Sequence, residues 1–156
     1  MQSDTGAIDS LSFSHIGVVA KDIDKPAELL SSVWDYRPGQ TMFGLQPRQT
    51  QEVSRRKDEV LTGEPFRYKW RWANVGPVAV DLLQPLDENS IYAQFLKSTG
   101  GGLHHIALEV SNWDEVVSQL QEQGSRMIAG ATNEGIRFCY MDTGPAGIIL
   151  ELIEKR

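Results

Sequence analysis

The sequence predicts an α+β fold built from two βαβββ modules, and three observations support this fold class. A strand-like run at 13–20 recurs at 101–110 with the same order of His, Ile and a small residue. A helical run follows each copy. Each half then closes on a carboxylate inside an apolar strand, Asp81 in the first half and Glu151 in the second. Self-similarity of this kind indicates that one folding unit is present twice.

Size and composition restrict the classes of function. The 156 residues suffice for one core or for two small modules that share a sheet. With 15 basic and 21 acidic residues, the chain lacks the basic surface of a nucleic-acid-binding protein. No stretch approaches the roughly 20 apolar residues of a membrane span. We therefore expect a soluble cytoplasmic protein. The single cysteine, Cys139, fits a reducing compartment and is predicted to be a strand residue rather than a nucleophile.

The first module is predicted to span 11–87. Residues 1–10 carry no periodicity and are expected to be an N-terminal lead-in. The elements of the module follow in order: an apolar strand at 11–19, a helix capped by Asp24 with Pro26 near its first position, an alternating strand at 66–72 and a strand at 78–84.

This module contains an insertion at about 40–63. The stretch from histidine to carboxylate is about 20 residues longer in the first half than in the second. A loop of this length is typical either of a lid over a site or of a merely mobile segment. At its start, residues 41–43 fit a short strand.

The turn after the alternating strand determines which side chains face Asp81. A two-residue loop places Trp70 or Trp72 on the Asp81 face, whereas a three-residue loop places Lys69 or Arg71 there. The short turn favours the tryptophans on this face. Because a face that packs against helices would also favour tryptophans, both alternatives remain open at this point.

The second module is predicted to span 103–156, after a linker helix within 88–102 that ends at three glycines. Those glycines lack the spacing and the following lysine of a phosphate-binding loop. The predicted elements are a strand at 103–110, a helix that ends near Gln123, and strands near 126–128, 136–141 and 147–153.

The repeat pairs two histidines and two acids, His15 with His105 and Asp81 with Glu151. If a pseudo-twofold axis relates the modules, equivalent side chains converge on that axis. An unpaired carboxylate buried between apolar residues costs several kcal/mol, so each acid needs a cation or a cavity to face. Two imidazoles and two carboxylates suit a divalent Mn, Fe, Co, Ni or Zn ion, whereas closed structural zinc sites are richer in cysteine. The four residues are therefore predicted metal ligands.

His104 is the competing ligand of the second half. The repeat aligns His15 with His105, because each directly precedes an isoleucine. Strand alternation makes His104 point the other way. We therefore interpret His104 as a structural or hydrogen-bonding residue.

Three motifs of the sequence resemble those of a known family: Gly102-Leu103-His104-His105-Ile106-Ala107, Val80-Asp81-Leu82-Leu83-Gln84-Pro85 and Leu150-Glu151-Leu152-Ile153. Over roughly 11–154 the chain resembles the vicinal oxygen chelate superfamily of glyoxalase, bleomycin resistance and dioxygenase proteins. Within it, the methylmalonyl-CoA epimerase and glyoxalase I-like families are most similar. The resemblance implies a curved mixed sheet around a central cavity, with a divalent metal ion held by His15, Asp81, His105 and Glu151.

The chain departs from the epimerase pattern at three places. Asp81 stands where the family usually has the longer Glu or Gln. Residues 141–146 replace the His-Pro-Lys-Ser run of the epimerases, which weakens the case for a CoA thioester. The catalytic glutamate after the second strand of the epimerases has Glu52 as its nearest, loosely matched counterpart.

The leading hypothesis is a metal-dependent lyase, isomerase or epimerase that acts on a small-molecule substrate. The metal stabilises an oxyanion, and Glu151 acts as the base toward a proton next to a carbonyl. One alternative is an Fe(II) extradiol-type dioxygenase that uses His15, His105 and Glu151. The other is a non-catalytic drug- or metabolite-binding protein, against which the intact ligand set counts. We expect a homodimer without nucleic-acid or membrane partners.

Overall fold

The computed structural model describes residues 11–29, 32–46, 64–133 and 135–156. In this part of the chain, nine strands, three helices and one 3-10 turn follow one another. Their bounds in chain order are β1 Leu11–Val19, α1 Asp24–Leu29, β2 Asp35–Tyr36, β3 Gln40–Gln46, β4 Glu64–Val75, β5 Val78–Pro85, α2 Ile91–Thr99, β6 Gly102–Val110, α3 Trp113–Glu122, β7 Arg126–Asn133, β8 Ile136–Asp142, the 3-10 turn Gly144–Ala146 and β9 Ile149–Lys155.

The strands form one sheet that closes on itself. Neighbouring strands follow the order β2-β4-β3-β7-β8-β9-β6-β1-β5, and β4 pairs with β5 in addition. This additional pairing closes eight of the strands into a curved ring around an axis. The remaining strand, β2, has two residues and pairs with β4.

The ring consists of two modules of the same topology, as the sequence predicts. In the first, β1 pairs in parallel with β5, and β3, β4 and β5 follow one another as antiparallel neighbours. In the second, β6 pairs in parallel with β9, and β7, β8 and β9 are antiparallel neighbours. Antiparallel pairing of β1 with β6 and of β3 with β7 joins the modules within one chain. The predicted α+β fold with a curved mixed sheet is confirmed.

The strand registers place the repeat-equivalent residues symmetrically. Gly17 lies opposite Asp81 in the first module, and Ala107 lies opposite Glu151 in the second. Across the junction between the modules, His15 lies opposite Ala107 and Gly17 lies opposite His105. Because the two modules repeat the same register offsets, His15 and His105 lie near the same point of the ring.

Some elements differ in length from those that the sequence predicts. Helix α1 contains six residues, and Val33, which continues the helical periodicity, is 65% exposed and lies in a turn. Strand β7 extends to Asn133 because its ladder with β8 continues that far. Residues 40–46 of the predicted insertion form strand β3, which pairs antiparallel with β4. Residues 47–63, and with them the predicted lid and Glu52, lie outside the described residues.

Apolar side chains pack into three clusters around the sheet. Helix α3 buries Val116 and Val117 against β-strand residues of the second module, which gives the inward face that its periodicity predicts. Helix α2 buries Tyr92 in the cluster between the modules. None of the helices in the described ranges is long and apolar enough to cross a membrane.

Candidate metal centre

Four adjacent strands bring the four predicted ligands together. In the order β5, β1, β6 and β9, these strands carry Asp81, His15, His105 and Glu151. Each residue is at most 7% exposed. One ligand atom from each residue lies within 4.8 Å of the corresponding atoms of the other three. Among the described residues, this is the one group of three or more His, Cys, Asp or Glu side chains with this property.

The shortest contacts in this group join imidazole nitrogens to carboxylate oxygens. The Nε2 atom of His15 lies 2.9 Å from Asp81 Oδ2 and 2.9 Å from Glu151 Oε2. The Nε2 atom of His105 lies 3.1 Å from the same Glu151 oxygen. Both Nε2 atoms and Glu151 Oε2 are buried, yet none of them has a partner in hydrogen-bond geometry. Three orphaned polar atoms therefore point at one another.

This arrangement fits a divalent metal ion. Two ligand atoms that bind an ion at about 2.1 Å and at right angles to each other lie about 3.0 Å apart. The three shortest separations in the group, 2.9 to 3.1 Å, correspond to that geometry. Buried polar atoms without partners are costly, and a cation would satisfy all three. The two carboxylates of Asp81 and Glu151 also supply the charge that balances a dication.

The pKa values of His15 and Glu151 are shifted by the charges of their neighbours in this group. Burial lowers the pKa of His15, but the adjacent carboxylates of Asp81 and Glu151 outweigh burial and raise this pKa to about 10. Burial raises the pKa of Glu151, but the charges of His105 and His15 outweigh it and lower that pKa to about 2. Without a metal ion, a protonated imidazole therefore compensates the carboxylates.

Two β-bulges orient the imidazole rings. The β1–β6 ladder skips one residue of each strand, Ser14 and His104, which are equivalent in the repeat. Ser14 Oγ lies 2.9 Å from Nδ1 of His15, and His104 Nδ1 lies 3.0 Å from Nδ1 of His105. A neutral imidazole that presents a lone pair at Nε2 carries its hydrogen at Nδ1, so both ligand rings are held in the orientation that a metal requires.

His104 has the hydrogen-bonding role that the sequence predicts, but strand alternation is not the reason. Because His104 is the extra residue of a bulge, its ring lies beside His105, with ring centroids 5.2 Å apart. The ring also packs against Phe95 at 4.9 Å. Burial, with a smaller contribution from His105, lowers the pKa of His104 to about 3. A neutral His104 can accept the hydrogen of the His105 ring.

The structure also resolves which side chains face Asp81. Val75 pairs directly with Val78, so the hairpin has a two-residue loop, Gly76-Pro77. Trp72 lies opposite Asp81 in the ladder and contacts the His15 ring edge-on at 5.2 Å. Trp70 donates its indole N–H to Asp81 Oδ1 at 2.8 Å. The tryptophans therefore face the centre.

Aromatic residues pack beside His105 and Glu151. Tyr140 lies opposite Glu151 in the β8–β9 ladder, and its ring is 4.9 Å from that of His105. Its hydroxyl shares a 2.6 Å hydrogen bond with the hydroxyl of Tyr92 from α2. Burial raises the pKa of both phenols well above their usual range, so both remain neutral. The sequence does not predict this pair.

The structure places the predicted site residues in different environments. The structure brings His15, Asp81, His105 and Glu151 together, and their binding of a metal stays a prediction. Glu52 lies outside the described residues. Cys139 is a buried residue of β8, and burial raises its thiol pKa, which is the environment of a structural cysteine. Periodicity does not predict the role of Ser14, and the signal for it in the sequence is its alignment with His104 in the repeat.

Comparison with known proteins places these observations in a family. The family described as Glyoxalase/Bleomycin resistance protein/Dioxygenase superfamily matches residues 14–140. The mitochondrial methylmalonyl-CoA epimerase of Bos taurus is 34% identical over 88 residues, which cover 52% of this chain and 49% of that protein. The Homo sapiens counterpart is 26% identical and is matched over 95% of this chain and 77% of its own length. The match to the bovine relative thus spans about half the length of that protein.

Solved structures share the fold. Hypothetical protein BH1468 from Bacillus halodurans C-125 has a TM-score of 0.63 at 24% identity and covers 94% of this chain and 96% of its own. Methylmalonyl-CoA epimerase from Mycobacterium tuberculosis also has a TM-score of 0.63, at 21% identity, with 92% of this chain and 87% of its own covered. At these identities the likeness shows the architecture alone.

Proposed function

Because the chain belongs to the Glyoxalase/Bleomycin resistance protein/Dioxygenase superfamily, we propose that it is a metal-dependent epimerase or isomerase that moves a proton next to a carbonyl group of a small substrate. One observation carries the proposal: buried ligand atoms of four residues from both modules converge within 4.8 Å, and three of these atoms have no hydrogen-bond partner. Buried titratable groups arranged in this way are typical of functional sites.

His15, Asp81, His105 and Glu151 would hold the ion. When bound, a divalent ion supplies positive charge that stabilises an oxyanion as it develops on the substrate carbonyl. Ser14 and His104 keep the two imidazoles in the ligating orientation. The burial of the group excludes bulk water, so its charges act in a medium of low dielectric constant.

Glu151 is the residue that we propose as the general base. Although burial raises its pKa, the positive charge beside it, whether of the histidines or of a bound ion, lowers this pKa and keeps Glu151 ionised at neutral pH. Its Oε2 atom faces both Nε2 atoms and therefore lies at the centre of the group. A carboxylate at this point can accept the proton that leaves a carbon next to a substrate carbonyl.

The first substrate class to test is a CoA thioester. Two relatives are named methylmalonyl-CoA epimerase, and a solved Streptomyces coelicolor methylmalonyl-CoA epimerase is in complex with 2-nitronate-propionyl-CoA. Since residues 141–146 depart from the epimerase pattern, hemithioacetals belong in the same panel as the second class. In each of these substrates a proton is acidified by an adjacent carbonyl group.

The structure weighs against both alternatives. A dioxygenase centre would use three ligands and leave Asp81 aside, but Asp81 Oδ2 contacts His15 Nε2 at 2.9 Å. A drug-binding member of the family would not need the complete group of two histidines and two acids. Oxygen consumption with a catechol and Fe(II) remains the measurement that identifies the oxidative reaction.

The experiment follows proton exchange. The metal-loaded protein is incubated with methylmalonyl-CoA in D₂O, and NMR measures both the loss of the α-proton and epimerisation. Glu151→Gln is expected to keep the fold and to lower the rate by at least about 100-fold, because an amide cannot accept the proton. The control is Glu122→Gln on the exposed end of α3.

Two results would contradict the proposal. Unchanged exchange in Glu151→Gln would remove Glu151 from the role of base. Absence of metal-dependent exchange with every thioester and hemithioacetal of the panel would remove the proposed reaction itself.

A further inference from the structure

Asp81 and Glu151 occupy equivalent registers but have side chains of different length. Asp81 lies opposite Gly17 as Glu151 lies opposite Ala107, so the backbones of the two acids are equivalently placed. Asp81 is one methylene group shorter. Its Oδ2 nevertheless contacts His15 Nε2 at 2.9 Å, whereas Glu151 Oε2 lies within 3.1 Å of both histidines. The Asp81 oxygen therefore contacts one histidine of the group, whereas the Glu151 oxygen contacts both.

The other oxygen of Asp81 is held by Trp70. The indole Nε1 of Trp70 donates to Oδ1 at 2.8 Å. Trp70 lies opposite Leu83 on the hairpin and therefore reaches Asp81 diagonally across the two strands. The hydrogen bond uses one carboxylate oxygen and leaves Oδ2 to face His15. The side chain of Asp81 is 9% exposed, so water has little access to its two oxygens.

The second module does not repeat this contact. Tyr140 lies opposite Glu151 as Trp72 lies opposite Asp81. Two residues earlier in each strand, the counterpart of Trp70 is Phe138, which has no polar side-chain atom. The shorter Asp81 thus has an indole N–H donor at this position, whereas the longer Glu151 has the apolar ring of Phe138 at the equivalent position.

We infer that Trp70 is a positioning residue, which fixes Asp81 so that one carboxylate oxygen serves the metal site despite the short side chain. The inference rests on the proposed metal-dependent function. Outer hydrogen bonds of this kind typically change metal affinity by about 10- to 100-fold when they are removed. Trp70 acts through Asp81 and has no role in the proton transfer.

The test measures Mn²⁺ affinity from the EPR signal of the free ion, together with the visible absorption spectrum of the Co²⁺-loaded protein. Trp70→Phe is expected to weaken Mn²⁺ binding by at least about 10-fold and to alter the Co²⁺ spectrum. The matched control is Trp34→Phe, which makes the same change in the apolar cluster that contains Ile23, Val80 and Leu82. We expect it to leave both measurements unchanged.

A second variant separates positioning from structural damage. Trp70→Phe combined with Asp81→Glu reproduces the pairing of Phe138 with Glu151 in the second module. The longer side chain should reach the ion without the indole, so Mn²⁺ affinity and the Co²⁺ spectrum are expected to return toward those of the natural protein.

The outcomes are distinct. Unchanged affinity in Trp70→Phe would overturn the inference, and so would a loss that the added Asp81→Glu change does not restore. In both cases the natural protein still binds Mn²⁺, so the proposed metal site stands. Failure of the natural protein to bind Mn²⁺ or Co²⁺ would overturn the metal site and this inference together.

Discussion

Gly17 shows how closely the side chains of the centre pack. A Cβ atom at this position would lie 1.9 Å from Cε1 and 2.3 Å from both ring nitrogens of His105. The His105 side chain is fully buried, so its ring cannot move into solvent. Gly17 therefore provides the space that the His105 imidazole occupies beside His15 and Glu151.

Replacing Gly17 by alanine should displace His105. We expect Gly17→Ala to lower Mn²⁺ affinity by at least about 10-fold and to destabilise the protein by about 1–3 kcal/mol through overpacking. Mn²⁺ titration and urea-induced unfolding measure the two effects. The control is Ala107→Gly at the repeat-equivalent position, which adds no atom beside a ligand. Mn²⁺ affinity equal to that of the natural protein in Gly17→Ala would show that His105 is not a ligand.

The individual site residues differ in how far the sequence predicts them. The two histidines and the two acids are predictable because each of them has a counterpart at the equivalent position of the repeat. Trp70 is not, because its contact with Asp81 depends on the length of one turn, and the sequence allows two lengths. Ser14 and His104 act through local hydrogen bonds at bulges, which periodicity does not reveal.

At the scale of the elements, the structure departs from simple periodicity where tertiary contacts determine length. Strand β7 continues to Asn133 because β8 supplies hydrogen-bond partners along its whole length. Val33 lies in a turn after helix α1, although apolar residues recur at helical spacing as far as this position. The sequence predicts the existence and order of the elements, because their periods differ, whereas the ends of the elements depend on neighbouring strands.

Helix α2 offers a stability prediction that is independent of the metal. The Ser90 hydroxyl accepts a hydrogen bond from Ala93 N at 3.1 Å and donates to the carbonyl of Asp87 at 3.1 Å. Since Ser90 is fully buried, Ser90→Ala removes the acceptor of the Ala93 N–H at a site that water does not reach. We expect a loss of about 1–2 kcal/mol in the free energy of unfolding and unchanged Mn²⁺ affinity.

Ser98→Ala on the same helix is the control for that measurement, because its hydroxyl is exposed. It should change the free energy of unfolding by less than about 0.5 kcal/mol. Equal losses in the two variants would show that the cap at Ser90 does not stabilise the helix.

At the scale of the whole molecule, the centre depends on closure of the two modules within one chain. Neither module alone contains more than one histidine and one acid of the group. The β1–β6 ladder joins the modules and places Ile16 opposite Ile106, between the two histidine positions. The repeat predicts this convergence, whereas the pairing of the two modules with each other within one chain comes from the structure. The homodimer stays a prediction, which sedimentation equilibrium tests.

The most direct test of the metal centre is an anomalous difference map from crystals of the natural protein grown with Mn²⁺. We predict one peak bonded to Nε2 of His15, Nε2 of His105, Oδ2 of Asp81 and Oε2 of Glu151. A folded protein without a peak among these atoms, in crystals that bind Mn²⁺ elsewhere, would contradict the account.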